Sequence, residues 1–167
     1  MSLDALNAAS DEAFLEIIGG PLEGETWLAR RVAIHRPFAD VPALFEAFEQ
    51  EVKAASEAER IALIRSHPDL GGKLAVGKPP SADSVREQAS AGLDRLTESE
   101  YAEFHRLNTE YRAAFGFPFV ICARENTKDS ILATFINRRN LPRSQEIEAA
   151  VAEVLKILRL RLIEKVR

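Results

Sequence analysis

The sequence predicts an all-α protein: a single-domain bundle of about seven or eight helices, interrupted by two functional loops. Three observations predict it. Apolar residues recur at three- and four-residue steps nearly throughout. Helix-start signatures precede several of those stretches, as in Ser56…Glu59 and Thr97…Glu100. No repeat, low-complexity tract or linker divides the 167 residues, so the whole of 1–167 reads as one domain with its own core.

Ser10 is positioned to cap a first helix carrying Phe14, Leu15, Ile17 and Ile18, which Gly19-Gly20 ends. A second helix is expected from about Glu25 to His35, with Trp27, Leu28, Ala33 and Ile34 mostly inward and Pro37 closing it. Val41, Leu44, Phe45, Phe48 and Val52 form a helical stripe. The Ser56/Glu59 capping box opens the next helix, through Ile61, Leu63 and Ile64. Thr97/Glu100 opens a long one reaching about Phe115, and two more follow near Thr127–Arg138 and Ser144–Val166.

Two stretches break the helical period. One is His67-Pro-Asp-Leu-Gly-Gly-Lys through Pro79-Pro80, rich in glycine and proline. The other is Phe115-Gly-Phe-Pro-Phe-Val-Ile-Cys-Ala, where Gly116 and Pro118 stop the preceding helix. Its Phe119–Cys122 portion is short, apolar and β-branched, compatible with a buried extended segment or with the start of a helix; periodicity does not decide. Function is expected in these two loops.

Composition excludes several classes. Apolar residues make up 46% and charged residues 29% of the chain, so disorder is not expected. A net charge of −4 gives no electrostatic reason for a nucleic-acid partner. No apolar run approaches the roughly 20 residues that span a membrane. The acidic N-terminus MSLDALNAASDE has no signal pattern, the C-terminal EKVR is not the peroxisomal Ser-Lys-Leu, and the single Cys122 has no disulfide partner within the chain. A cytoplasmic location is the expectation.

Three positions carry the candidate chemistry. Pro68 disfavours helical geometry at His67, which therefore stands at a helix end beside a glycine-rich loop. An imidazole there can give or take a proton near neutrality; the bland alternative is a surface or capping histidine. Ser84-Val85-Arg86-Glu87-Gln88 has the form of a capping box, Ser-x-x-Glu. A helix N-terminus also presents free amides to an anionic ligand, and in that case Glu87 orients His67 and Gln88 bonds a ureido or amide group. The two readings differ in where the Glu87 carboxylate points. Arg161 continues the buried line Ile147, Val151, Val154, Leu158, while Arg159 lies one step off it. A buried guanidinium needs an anionic or hydrogen-bonding partner, supplied by a substrate or by a protein carboxylate.

Other motifs fail. Gly72-Lys-Leu-Ala-Val-Gly77-Lys78-Pro79 approximates a phosphate loop, but Pro79 replaces the hydroxyl and a helix precedes it, not a strand. His35, His67 and His105 lack metal-ligand spacing, so no metal is expected. His105 reads as structural. Cys122, in an apolar run, reads as packing rather than as a nucleophile. No Gly-x-Ser-x-Gly elbow is present.

Taken together, His67-Pro-Asp-Leu-Gly-Gly-Lys, Ser84-x-x-Glu87-Gln88-x-x-x-Gly92-Leu-Asp94-x-Leu96, Phe104-x-x-Leu107-Asn108-x-x-Tyr111-x-x-x-Phe115-Gly-Phe-Pro-Phe and Glu153-Val-x-Lys156-Ile-x-x-x-Arg161-Leu resemble the 2-oxo-4-hydroxy-4-carboxy-5-ureidoimidazoline (OHCU) decarboxylase family. Pro21-Leu-Glu23…Trp27 and Arg36-Pro-Phe38 fit the same pattern, and the resemblance spans almost the whole chain in order. It implies an all-α, cofactor-free enzyme, a homodimer, that performs the last step from urate to (S)-allantoin on a small-molecule ureidoimidazoline. By the family pattern His67 is the catalytic acid/base and Arg161 lines the pocket; with Glu87 orienting the imidazole, His67, Glu87 and Arg161 are the expected catalytic set. Pro68, Ser84, Val85, Arg86, Glu87, Gln88 and the backbone of Phe119, Val120, Ile121, Cys122 and Ala123 line the substrate pocket. Animal members usually end in a peroxisomal signal; its lack here favours a cytosolic enzyme of bacterial type. Decarboxylation needs an electron sink, which most enzymes take from a cofactor; the ureidoimidazoline ring can serve as its own.

Two rivals follow from the same residues. A non-catalytic helical adaptor would use the exposed faces of the last helix, with His67 a mere cap. A hydrolase opening ureide rings would usually ask for a metal-activated water.

Overall fold

The computed structural model describes residues 1–72 and 79–167. Among the described residues the chain is helical, with nine α-helices, one 3₁₀ turn and no strand, in agreement with the expected class. None of these helices is long and apolar enough to cross a membrane. The near-phosphate-loop stretch falls largely on residues 73–78, outside the described residues.

Two compact units emerge. The first comprises 1–66 with 155–167, the second 67–154. The first holds α1 (Leu3–Asn7), α2 (Asp11–Gly19), α3 (Thr26–Ala33), α4 (Val41–Ala54), α5 (Glu57–Arg65) and the C-terminal part of α9 (Arg143–Lys165). Here α2 packs on α3 and α3 on α4. Their starts are capped as the sequence signals: Ser10 accepts from the Ala13 amide, Asp40 from Ala43, and Ser56 and Glu59 close a reciprocal capping box. The short α1, capped by Ser2, was not anticipated from the apolar period, because five residues are too few to display one.

One inward assignment is corrected. Ile34 is 82% exposed. The helix ends at Ala33, and its buried face is Leu28, Ala29 and Val32, so Ile34 falls at the C-cap, off that face.

The second unit contains α6 (Ala82–Ser90), α7 (Glu98–Phe115), the 3₁₀ turn Ala123–Glu125, α8 (Lys128–Arg138) and the start of α9. The capping box Thr97/Glu100 opens α7, and Gly116, at φ 78°, closes it in the left-handed conformation that glycine tolerates best. The core of this unit is aromatic. Tyr111 meets Phe115, Phe117, Phe119 and Phe135, and Phe119 stacks on Phe135 at 4.0 Å.

Candidate active site

His67 is the first residue after the Ser66 C-cap of α5, as Pro68 requires, and it is 5% exposed, so the surface-histidine alternative does not hold. His67 takes part in a further interaction, while its Nε2 is buried with no hydrogen bond among the described residues. The loop that follows is held by side chains of two helices. Gln88 of α6 accepts from the Gly71 amide at 3.0 Å and donates to the Asp69 carbonyl at 3.2 Å. From α7, Asn108 donates to the Leu70 carbonyl at 2.9 Å and Arg112 pairs with Asp69 at 2.8 Å. Gly71 itself sits at φ 65°, and a Cβ there would lie 2.9 Å from Leu96 Cδ1. Gly71 is thus a backbone requirement of the loop that carries His67.

The Ser84 capping box is corrected. Ser81 caps α6, its Oγ accepting from the Ser84 amide at 3.1 Å, and Ser84 lies buried in the first turn. Two serines three apart offer alternative caps, and the helix takes the one that adds a turn. The donor that Glu87 was expected to share is therefore already engaged with Ser81, and Glu87 sits a full turn inside the helix, released from capping.

The Glu87 carboxylate lies near Cys122. Helix α6 packs against the 3₁₀ turn Ala123–Glu125, and the Cys122 thiol is pushed up to about 11, first by burial and then by the nearby carboxylates of Glu125, Glu153 and Glu87. The two segments singled out in the sequence, Ser84–Gln88 and Phe119–Ala123, thus meet in this unit. Val85 is 53% exposed and Arg86 is exposed in an ion pair with Asp83, while Pro68, Val85 and Gln88 line a cavity of about 170 Å³ with Asp69 and Leu93. The thiol's raised range and its burial match the packing role expected for Cys122.

Phe119, Val120, Ile121, Cys122 and Ala123 are all buried. They form no helix before Ala123, and Cys122 is extended (φ −70°, ψ 93°), which resolves the sequence ambiguity in favour of the extended form. Side chains anchor the run. Arg138 donates to the Val120 carbonyl at 2.7 Å, Glu153 accepts the Cys122 amide at 2.9 Å, and Asn126 donates to the Cys122 carbonyl at 2.9 Å. Sequence reasoning missed Arg138, because its partners belong to other elements.

Arg161 belongs to the first unit. It is 2% exposed, as its place on the α9 stripe predicts, and Arg159 is exposed over the Phe45 ring. Its Nη1 donates to Glu23 Oε1 at 2.8 Å and to the Pro21 carbonyl at 3.2 Å. Glu23 is buried and held at φ 55°, an uncommon conformation for a side chain of its size. The protein carboxylate weighed for Arg161 is thus present, and a tight turn that closes with the Gly24 amide on the Gly19 carbonyl delivers it. The Pro-Leu-Glu-Gly run is the sequence signal that could have revealed this turn.

Comparison with known proteins adds the family context. The OHCU decarboxylase family model matches residues 7–163. A 2-oxo-4-hydroxy-4-carboxy-5-ureidoimidazoline decarboxylase of Haloferax volcanii is 38% identical over 165 residues, covering 99% of this chain and 96% of the relative. Another, of Halalkalicoccus jeotgali, is 36% identical, with 98% of this chain and 91% of the relative covered. Among solved structures, a crystal structure of (S)-allantoin synthase superposes with a TM-score of 0.79 at 24% identity, covering all of this chain and 54% of that one. That last likeness speaks to the fold alone.

Proposed function

The chain belongs to the OHCU decarboxylase family, and from that membership we propose that it removes the carboxylate of 2-oxo-4-hydroxy-4-carboxy-5-ureidoimidazoline as CO2 and yields (S)-allantoin, the last step of urate degradation. The observation that carries the proposal is the match over nearly the full chain to relatives bearing that activity in their names, at 38% and 36% identity.

In the reaction, the bond from ring carbon 4 to the carboxylate breaks and CO2 leaves. The electron pair passes into the ring's C=N bond, carbon 5 and that ring nitrogen each gain a proton, and the hydroxyl on carbon 4 loses its proton as it becomes a carbonyl. One proton is taken up overall. The protein's tasks are to position the substrate, stabilise the developing charge, and move protons to one face.

We assign those tasks as follows. His67 takes the hydroxyl proton or delivers one to carbon 5, and delivery from one side sets the S configuration. Glu87, released from capping, is a positioning residue for the imidazole. Arg161 and the Phe119–Ala123 backbone hold ring oxygens, with Pro68 and the Ser84–Gln88 turn completing the pocket. Two features support the assignment: the burial of His67 at the head of a clamped loop, and the meeting of α6 with the segment that ends at Ala123. The engagement of Gln88 with the loop at Asp69 and Gly71 gives that side chain a second task beside substrate contact. A cytoplasmic homodimer belongs to the same proposal, and light scattering of the purified protein tests the dimer.

The decisive experiment uses freshly generated substrate, with CO2 release and the optical rotation of allantoin followed in time. His67→Asn should keep the fold and lower the rate by at least ~10²-fold, the low end for general acid–base catalysis. Turnover near the wild-type rate in that variant refutes the role.

A further inference from the structure

The Phe119–Cys122 run is buried and non-helical, with Cys122 extended, and among the described residues no strand pairs with it. Buried backbone groups must find partners elsewhere. Along one edge they do so through charged or polar side chains. The Val120 carbonyl takes Arg138 Nη1, and the Cys122 amide and carbonyl take Glu153 and Asn126. In an extended chain the N–H and C=O of one residue point to one edge and those of the next residue to the opposite edge. With Val120 and Cys122 tied to one edge, Ile121 is turned to the other, and its amide makes no hydrogen bond among the described residues.

The tether at Val120 is rigid for a physical reason. Glu146, 0% exposed, accepts Arg138 through Nε and Nη2, the latter at 2.6 Å, and also accepts the Tyr111 hydroxyl. Arg138 stacks over the Phe119 ring at 4.4 Å. A planar guanidinium fork can grip the carboxylate with two nitrogens and aim the third at Val120; an ammonium has no such fixed third donor.

We propose that Arg138 and Glu153 are positioning residues of the reaction: they tether one edge of the Phe119–Ala123 segment so that the Ile121 amide stands on the other edge as a donor to the substrate oxygen on which charge develops. This rests on the reading that the segment lines the substrate site. A donor aimed where charge develops acts chiefly in the transition state, so its displacement lowers kcat more than it raises KM.

The test compares Arg138→Lys, Glu153→Leu and Glu153→Gln with Tyr111→Phe, which weakens the same buried network while keeping its ring against Phe119 and leaving the segment's backbone hydrogen bonds in place. Thermal stability, kcat and KM are measured for each. The Ile121 amide resonance of the ¹⁵N-labelled wild-type protein is followed on titration with (S)-allantoin. Arg138→Lys and Glu153→Leu should lose about tenfold or more in kcat with KM within about threefold, consistent with misplacement of a catalytic group. Glu153→Gln, which retains an acceptor oxygen, should recover much of that loss, and Tyr111→Phe should keep kcat within about twofold despite a lower Tm. The Ile121 resonance should move with allantoin. If it moves but the Arg138 and Glu153 variants lose no more kcat than Tyr111→Phe, the positioning role is overturned and the reading of the segment stands. If it does not move, the reading of the segment fails and the proposal with it. Should Arg138→Lys not fold, the Glu153 pair decides by the same criteria.

Discussion

Replacing Tyr111 with phenylalanine isolates one hydrogen bond in the core of the second unit. The ring remains packed against Phe115, Phe117, Phe119 and Phe135, at centroid distances from 4.6 to 5.9 Å, so no cavity forms beyond the lost oxygen. What is lost is the hydroxyl's bond to the Glu146 carboxylate, a bond to a charged acceptor worth about 1.5–3 kcal/mol. Glu146 keeps its two-nitrogen contact with Arg138, so the buried charge stays paired. For a chain of this size about 2 kcal/mol lowers Tm by roughly 4–8 °C near neutral pH. Alkaline pH adds a sign that packing alone cannot produce. Burial, and then the adjacent Glu146 carboxylate, push the Tyr111 hydroxyl far above its ordinary value of 10. The folded value is raised, so the stabilisation is complete below pH 10. It is lost as pH rises beyond it, because the unfolded chain sheds this proton while the folded one keeps it. At pH 11 the wild type loses about 1.4 kcal/mol that the phenylalanine variant does not, and the gap between them narrows from about 2 to about 0.6 kcal/mol. Denaturant melts of both proteins from pH 8 to 11 measure the gap, and taking the difference removes groups common to both. A gap that stays constant across that range would refute the account of a buried, protonated Tyr111 bonded to a carboxylate.

Further consequences concern the other sites. Cys122, with its thiol raised to about 11, should be thiolate in only about one part in a thousand at pH 8, and should react with a disulfide reagent only as the protein unfolds; stoichiometric labelling of the native protein would contradict this. Arg161→Lys should lower kcat/KM far more than Arg159→Lys, since Arg161 is the buried guanidinium bound to Glu23 and Pro21 whereas Arg159 lies exposed over Phe45; steady-state kinetics decide, and the opposite order would show that the pocket arginine is Arg159. Gly71→Ala forces a side chain into φ 65° against Leu96 and should cost about 1–3 kcal/mol in a denaturant melt while lowering activity through the His67 loop.

Local pattern was enough for much of the fold because its causes are local. A capping box needs two side chains three apart, and both Ser56/Glu59 and Thr97/Glu100 formed as their spacing requires. The α9 stripe needs only the helical period, which placed Arg161 among buried positions and Arg159 outside them. The same local logic failed where two solutions were nearly equal. Ser81 and Ser84 both offer a cap for α6, and the chain takes the earlier one. At α3 the expected helix ran to His35, two residues past its end at Ala33, and so carried Ile34 inward.

What the sequence by itself determined is the helical class, most helix starts, the break at His67, the burial of Arg161 and membership of a family. Each of these depends on neighbours within about one helical turn or on a motif read in order. What only the tertiary structure decided is which groups satisfy the buried charges and the unpaired backbone. Glu23 reaches Arg161 across 138 positions of chain, and Glu153 reaches the Cys122 amide across 31. Glu146 gathers Tyr111 and Arg138 from two further helices, and Arg138 in turn holds Val120. No spacing rule encodes such partners, because burial makes them obligatory without saying who they are; the packing of the elements chooses among the carboxylates within reach.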